Sequence, residues 1–420
     1  MSFLNYFRKD NPFDCIILGF IMRLVGNVFG LFLPHQITDA VFGSICWILI
    51  FQGFSRISEK LRFQIKGSYR ALVKFFLFLC LIMIIRGYTI DYNYPWWTTL
   101  AAIDFHTFYP TYLICYLMPF VALIPIKYYN FRLVTIYSVL FIVLTLVLSF
   151  YYRSEIMNKS TLAAMGFTDV DGKSANSLAY CGQFVMISLF YKFLPSKKWL
   201  YNFGGVIICL LLMIIGARRG ETLTYCIFLV GALYFYTSAK QGASKYFGRF
   251  IAIIGVVVFA MLIVESSVSS FIIERGMTDS RSYVEDSMLD QMSEFDKIFG
   301  KGLNGRYYCP LRVDDKLNGW RYGIETGFYN LVLKGGYLLA CTYILILLIP
   351  MYKGFFKSKN LFCKAGAFFI LYHIVTQKTF GILTFNLSFF LLWMMIVSCM
   401  NKEVRNMTDQ EIKERFFYNL

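Results

Sequence analysis

Two adjacent arginines stand at a turn between apolar runs and could bind an anion. Arg218 and Arg219 lie in the string MIIGARRGETL, directly before Glu221. Arginine suits phosphate because its planar fork donates two parallel hydrogen bonds and stays charged at any physiological pH. Cations at the edge of a hydrocarbon region usually have an anionic partner. The turn therefore indicates an anion site, with a local pair to Glu221 as the alternative.

A second group of polar residues fills residues 271–334, the one long polar segment in a mostly apolar sequence. Before Glu325 it holds eight of the 41 Lys and Arg residues and nine of the 25 acids. Arg281 lies near its start. An aromatic and basic stretch, RYYCPLRVDDKLNGWRYG, follows with Arg306, Arg312 and Arg321. Arginines in this stretch suit phosphate, and the faces of its tyrosine and tryptophan rings suit sugars.

A carboxylate closes the polar segment just before an apolar helix begins. Glu325 stands in ETGFYNLVLKGGYL, where partial desolvation would raise its pKa toward neutrality. Such a group can accept the proton of an attacking hydroxyl. Tyr329 and Asn330, one helical turn on, could orient it. Lys334 lies on the same helix near Glu325 and Asn330, which leaves a structural ion pair and a ligand role both open.

The elements that position these residues are predicted to be membrane helices. The chain has 420 residues, 58% of them hydrophobic, with a mean hydropathy of +0.57. A helix that crosses the hydrocarbon core needs about 20 apolar residues. The sequence therefore predicts an all-α, polytopic integral membrane protein, a single membrane domain over residues 1–420 with about 12 transmembrane helices. They span residues 13–33, 37–54, 73–90, 110–126, 133–151, 176–194, 200–217, 222–239, 249–268, 326–350, 361–377 and 383–400.

The distribution of positive charge sets the orientation of these helices. If the N-terminus is cytoplasmic, 24 of the 41 Lys and Arg residues fall in cytoplasmic segments, most of them short. Both termini are then cytoplasmic. Residues 269–325, between the ninth and tenth helices, form a large loop on the outer, periplasmic or extracellular, face. The net charge of +16 belongs mostly to one side of a membrane and does not indicate nucleic-acid binding.

Apolar residues recur at three- and four-residue steps in the first half of the large loop. This spacing predicts an amphipathic helix that lies on the membrane surface. The residues that define it are Val284, Met288, Leu289, Met292, Phe295 and Ile298.

Histidine is too sparse to suggest a metal centre. The chain has three His, none with a neighbouring metal ligand, so we expect neither a metal nor a cofactor.

Four strings together resemble the O-antigen polymerase and ligase family, membrane glycosyltransferases that act on undecaprenyl-diphosphate glycans. GKSANSLA resembles the family's entry to a central helix, and MIIGARRGETL resembles its Ser-Arg-Gly turn. SRSYVEDSM followed by FGKGLNG resembles its arginine and helix before a glycine turn, and ETGFYNLVLKGGYL resembles its loop-exit motif. Arg312 and Gly323 also have the arginine-to-glycine spacing described for polymerases. The resemblance covers the topology and about residues 170–345.

The resemblance implies roles for several of these residues. Arg219 and Arg281 match the arginines that hold the donor diphosphate, and Arg218 and Arg312 would add positive charge as the glycosidic bond breaks, with no metal. In the ligases the exit motif carries a histidine that is thought to deprotonate the acceptor. This chain has Glu325 at or near that place and no histidine in the loop, which favours a polymerase.

The expected activity is that of a bacterial polysaccharide polymerase in the inner membrane. It would transfer a growing glycan from its undecaprenyl diphosphate carrier to a new lipid-linked repeat unit, for an O-antigen or a capsule. Its partners would be undecaprenyl-diphosphate-linked oligosaccharide, membrane lipid and a chain-length-determinant protein. Two alternatives stay open: a ligase that attaches finished glycan to lipid A core, and a flippase or transporter. The single large loop and the lack of similarity between the two halves of the chain count against transport.

Overall fold

Helices form most of the chain in a computed structural model, in agreement with the all-α prediction in its coarse form. The structure describes residues 11–29, 39–90, 113–151, 187–215, 219–238, 280–309, 319–324, 326–378 and 383–418. Most of the predicted sixth helix and all of the ninth lie outside these residues. The described strands form one two-stranded antiparallel hairpin.

The described elements follow one another in this order. The first half of the chain contains α1 (Pro12–Phe29), α2 (Ser44–Ser55), α3 (Gly67–Thr89), α4 (Arg132–Tyr151), α5 (Ser196–Ile215) and α6 (Arg219–Ser238). The large loop contains α7 (Ser280–Asp290), α8 (Glu294–Phe299), β1 (Tyr307–Tyr308) and β2 (Trp320–Arg321). The rest contains α9 (Gly327–Phe356), α10 (Leu361–Thr376), α11 (Leu387–Met400), α12 (Lys402–Asn406) and α13 (Asp409–Phe416).

Two of the described helices, α3 with 23 residues and α9 with 30, are long and apolar enough to cross a membrane by length and composition. Several other apolar helices are shorter, with 10–17 residues. The core helices of globular proteins share these properties. The two helices therefore support membrane association, and no particular number of spans.

The predicted fourth helix, over residues 110–126, has a different geometry in its described part. Leu113–Leu123 forms a 3-10 helix, followed by a short 3-10 turn at Ile126–Tyr128. Pro119 lies inside the first of these segments. Proline has no N–H to donate, and its ring clashes with the carbonyl four residues before it in an α-helix. A regular α-helix through this position is therefore disfavoured, which apolar composition did not reveal.

The core of the described structure surrounds α9 and α11. The long helix α9 packs against α3, α8, α10 and α11. Every residue of α11 from Leu387 to Cys399 is buried. A helix that is apolar on all sides is most stable when other helices enclose it completely. The last helices close one end of the bundle, where the Phe417 ring stacks on Phe131 with centroids 5.0 Å apart.

The amphipathic helix predicted in the large loop is two helices, α7 and α8. The first helix ends at Asp290, and Ser293 caps α8. The Ser293 hydroxyl accepts a hydrogen bond from Asp296 N at 3.1 Å, while the Asp296 carboxylate accepts one from Ser293 N at 3.2 Å. This capping box starts a new helix and interrupts the periodic pattern. Met288 is buried, whereas Phe295 is 56% exposed and Ile298 is 50% exposed.

Candidate anion-binding site

A glycine-rich loop, residues 299–305 (FGKGLNG), joins α8 to the hairpin and packs between α3 and α9. Gly300 has a φ of +72°, and a Cβ at this position would overlap the Lys334 carbonyl group. Leu303 N donates to Met83 O on α3 at 3.1 Å, and the Asn304 side chain donates to Ile90 O at 2.9 Å. The loop backbone can therefore approach both helices more closely than a loop with side chains.

The helix α9 is broken where it meets this loop. Gly336 has φ 73° and ψ 178°, so the turns on either side are not continuous. The break removes the helical partners of two carbonyls, which the loop then supplies. Lys301 N donates to Leu333 O at 2.8 Å, and Gly302 N donates to Lys334 O at 3.0 Å. The outer end of α9 and the glycine loop thus form one hydrogen-bonded unit.

Two lysines from different elements converge inside this unit. Lys334 Nζ donates to Gly305 O at 3.0 Å, and Lys301 Nζ donates to Arg306 O at 3.4 Å. Lys334 is 0% exposed and Lys301 is 8% exposed. Neither lysine lies within ion-pair distance of a carboxylate in the described part of the chain. Buried ammonium groups normally have such a partner, since removing a charge from water is costly.

The electrostatic surroundings of Lys301 are mixed. Burial lowers the pKa of its ammonium below the ordinary value of 10.5, and the positive charge of Arg306 lowers it further, while Asp296 opposes both effects. Desolvation is the largest of these influences. An anion placed beside Lys301 and Arg306 would raise the pKa of the Lys301 ammonium again.

The carboxylate of Asp296 is already engaged by Arg86 from the end of α3. Arg86 Nη2 lies 2.6 Å from Asp296 Oδ1, and Arg86 Nε donates to Gly300 O at 2.8 Å. The guanidinium also lies 4.7 Å from the centre of the Phe295 ring. Arg86 therefore neutralises Asp296 and holds the start of the glycine loop against α3.

An aromatic hairpin forms the next wall. Tyr307 pairs with Arg321 and Tyr308 with Trp320 across β1 and β2. The Arg306 guanidinium carbon lies 4.0 Å from the centre of the Trp320 ring, a favourable cation–π distance. Gln291 at the end of α7 accepts a hydrogen bond from Tyr308 N and donates to Tyr308 O, both at 2.8 Å. These bonds fix the hairpin to the loop helices.

Two of the predicted residues lie in the first turns of α9. Asn330 is buried, and its side-chain oxygen accepts a hydrogen bond from Ile324 N at 3.4 Å. The Tyr116 hydroxyl also bonds to the Asn330 side chain. Tyr329 is half-buried beside it. Asn330 thus connects the end of the hairpin, the start of α9 and the 3-10 segment.

The structure brings some of the predicted site residues together. Arg306 and Arg321 share the hairpin, with Tyr329 and Asn330 on the adjoining helix. Arg219 begins α6 and Arg281 lies in the first turn of α7, but their side chains lie outside the described part. Three further predicted residues lie outside the described residues altogether, namely Arg218, Arg312 and Glu325.

Sequence reasoning left the role of Lys334 open and did not single out Lys301 or Arg86. A signal for the two lysines was present, because each stands beside glycine, in FGKGLNG and in LKGG. Lysine flanked by glycine allows backbone to approach the charged group closely. The long-range pairing of these two strings could not be deduced from either one.

The donor set of this region suits an anion. Among the described residues, no group of three or more His, Cys, Asp or Glu side chains could hold a metal ion. No protein-family model, no curated protein and no solved structure matches the chain.

Proposed function

We propose that this chain is a polytopic membrane glycosyltransferase of the bacterial inner membrane that polymerises undecaprenyl-diphosphate-linked oligosaccharide repeat units. The observation that carries the proposal is the junction of the glycine loop, the hairpin and α9. It combines two buried lysines that have no carboxylate partner in the described part of the chain with an aromatic hairpin in which Tyr308 is 44% exposed. These are the groups that a diphosphate and a sugar require.

The proposed topology has twelve spans and two cytoplasmic termini. It requires the end of α3 and the start of α9 to lie on the same, outer side. Contacts of the glycine loop with both Met83 and Leu333 support this arrangement, because one short loop touches both helix ends. The opposite ends carry cationic residues, with Lys66 before α3 and Lys353 in the last turn of α9. This distribution agrees with the positive-inside rule.

The proposed reaction is a glycosyl transfer without a nucleotide. The acceptor hydroxyl of a new lipid-linked unit attacks the anomeric carbon of the growing glycan, and its proton passes to Glu325. The bond from the anomeric carbon to the diphosphate oxygen breaks, and its electron pair leaves with undecaprenyl diphosphate. Arg219 and Arg281 stabilise the negative charge on that leaving group, assisted by the cations of the junction.

The test is chain growth by purified protein supplied with lipid-linked repeat units alone. Arg219→Ala, Arg281→Ala and Glu325→Gln should each abolish longer lipid-linked chains while the protein still inserts in the membrane. Lys297→Ala is the matched control, because Lys297 lies in the same loop but pairs with Glu294 on its exposed surface. Wild-type chain lengths in all three variants would refute the site assignment.

The same assay separates the alternative activities. A ligase would form no longer lipid-linked chains from repeat units alone and would need lipid A core as acceptor. A flippase would move the substrate across vesicles without forming a glycosidic bond. Either result with active protein would replace the proposed polymerase activity.

A further inference from the structure

We propose that Lys301 and Lys334 form a phosphate-binding subsite that holds the diphosphate of a polyprenyl-linked donor, an inference that rests on the proposed function. The two ammonium groups come from the glycine loop and from α9, 33 positions apart in sequence. They meet at two consecutive carbonyl groups, those of Gly305 and Arg306. The subsite is distinct from the arginines that the sequence resemblance assigns to the diphosphate.

The charge balance around the two lysines favours an anion. An ammonium group has three N–H donors, and each of these lysines donates one described hydrogen bond, to a neutral carbonyl. The only described carboxylate with an electrostatic influence on either lysine is Asp296, and it is bound to Arg86. Two buried cations that have no counter-ion of their own among the described residues favour a site that an anion completes.

Both ammonium groups are bound to the same short stretch of backbone, because the carbonyls of Gly305 and Arg306 belong to neighbouring residues. A diphosphate presents two adjacent anionic groups, and its oxygens can replace the two carbonyls as acceptors. Arg306 leads from the subsite to the Trp320 ring, 4.0 Å away. A sugar attached to the diphosphate would then meet the aromatic hairpin.

Lys334 lies near the start of a candidate spanning helix. It is the eighth residue of the 30-residue helix α9, two residues before the break at Gly336. The break leaves room for the glycine loop at this level instead of a continuous helix turn. A polyprenyl diphosphate has its charged group at the membrane surface and its chain in the hydrocarbon. A cationic subsite near the outer end of a candidate spanning helix would lie at the same depth as that charged group.

The experiment measures binding of inorganic pyrophosphate to the full-length protein purified in detergent, by titration calorimetry. We expect saturable binding to the wild type and a loss of affinity of at least about tenfold in both Lys301→Met and Lys334→Met. Lys301→Arg, which keeps the charge, should retain most of the affinity, and Lys297→Met should bind as the wild type does. Equal affinity in folded Lys301→Met, or no saturable binding by the wild type, would overturn the proposal.

A competition arm identifies the source of the phosphate. Geranyl diphosphate should displace pyrophosphate, whereas phosphatidylglycerol should not. Equal displacement by phosphatidylglycerol would assign the site to membrane phospholipid and overturn the donor subsite. The polymerisation assay is read separately. Lysine-dependent binding without polymerisation would refute the proposed function alone, and polymerisation with unchanged binding in Lys301→Met would refute the subsite alone.

Discussion

Arg86 and Asp296 form an ion pair of 2.6 Å that joins the end of α3 to the start of α8. The same arginine donates to Gly300 O at 2.8 Å. Both side chains are mostly buried, with 17% and 20% exposed. A single guanidinium thus satisfies the carboxylate that caps α8 and fixes the first residue after that helix. The position of the glycine loop, and with it Lys301, depends on this contact.

Removing the arginine should release the glycine loop from α3. We expect Arg86→Ala to lower the free energy of unfolding by about 1.5–3 kcal/mol, the usual value of hydrogen bonds to charged groups. Amide hydrogen exchange of residues 296–305 should accelerate, with little change in α10 or α11. Lys297→Ala is the control, because its pair with Glu294 lies on the surface and is worth little. Unchanged exchange in Arg86→Ala would show that the loop docks without the pair.

A glycine at the break of α9 should be equally sensitive. At Gly336 the φ of 73° and ψ of 178° suit only glycine, and a Cβ would overlap the Ile298 carbonyl. Gly336→Ala should cost at least about 1–3 kcal/mol and lower the melting temperature. Gly204→Ala is the matched control, because a Cβ there meets no atom within 4 Å and alanine favours a helix by about 0.5–1 kcal/mol. A smaller effect at Gly336 than at Gly204 would contradict this account of the break.

The sequence predicted the helical elements better than their junctions. Apolar runs located α3, α9 and α10, because burial of a continuous apolar segment leaves few alternatives to a helix. The same runs missed the 3-10 geometry at Pro119 and the second helix start at Ser293, where a single side chain decides the backbone. The residue types Pro119 and Ser293 were visible in the sequence, but the apolar pattern around each of them favoured a continuous helix.

The candidate site was only partly accessible to sequence reasoning. Arg306 and Arg321 were predicted from residue type, because aromatic and basic residues cluster in this stretch, and the structure places both at the hairpin. The role of Lys301 depends on contacts of the glycine loop with Leu333 and Lys334 of α9, which lie 32 positions later in the sequence than the loop residues that bind them. No local pattern encodes that contact, because it arises from backbone hydrogen bonds to a broken helix. The glycines beside Lys301 and Lys334 were the feature of the sequence that pointed to this contact.

Replacing Lys334 with an apolar side chain of similar length should stabilise the folded protein and reduce its polymerisation activity. Lys334 is fully buried, and removing its charge from water costs free energy in the folded state. We expect Lys334→Met to keep or raise the melting temperature in detergent and to lose polymerisation. Lys297→Met should leave both unchanged. A large fall in melting temperature would instead make Lys334 a structural residue.

Stacking of Arg306 on Trp320 should contribute to substrate affinity. A cation over a tryptophan face at 4.0 Å is worth about 0.5–2 kcal/mol. Trp320→Ala should therefore raise the KM for lipid-linked repeat units several-fold, while kcat changes less. Trp320→Phe keeps an aromatic face and serves as the control. Equal KM values for the alanine and phenylalanine variants would show that the ring does not position Arg306 for substrate.

Binding of pyrophosphate should weaken at alkaline pH through Lys301. Burial lowers the pKa of this ammonium below 10.5, so the free protein loses the proton at a lower pH than an exposed lysine would. Pyrophosphate favours the protonated form. The contribution of Lys301 to affinity is therefore complete below its pKa and disappears as the pH rises through it.

The measurement is the ratio of wild-type to Lys301→Met affinities across the alkaline range, which cancels the titration of pyrophosphate itself. We expect this ratio to be largest at neutral pH and to fall toward one as the pH rises through the lowered pKa of Lys301, because the neutral amine and the methionine side chain both lack charge. Lys301→Arg, whose guanidinium stays charged, should keep a high affinity throughout. A ratio that does not change with pH would mean that the Lys301 ammonium is not the group that holds the anion.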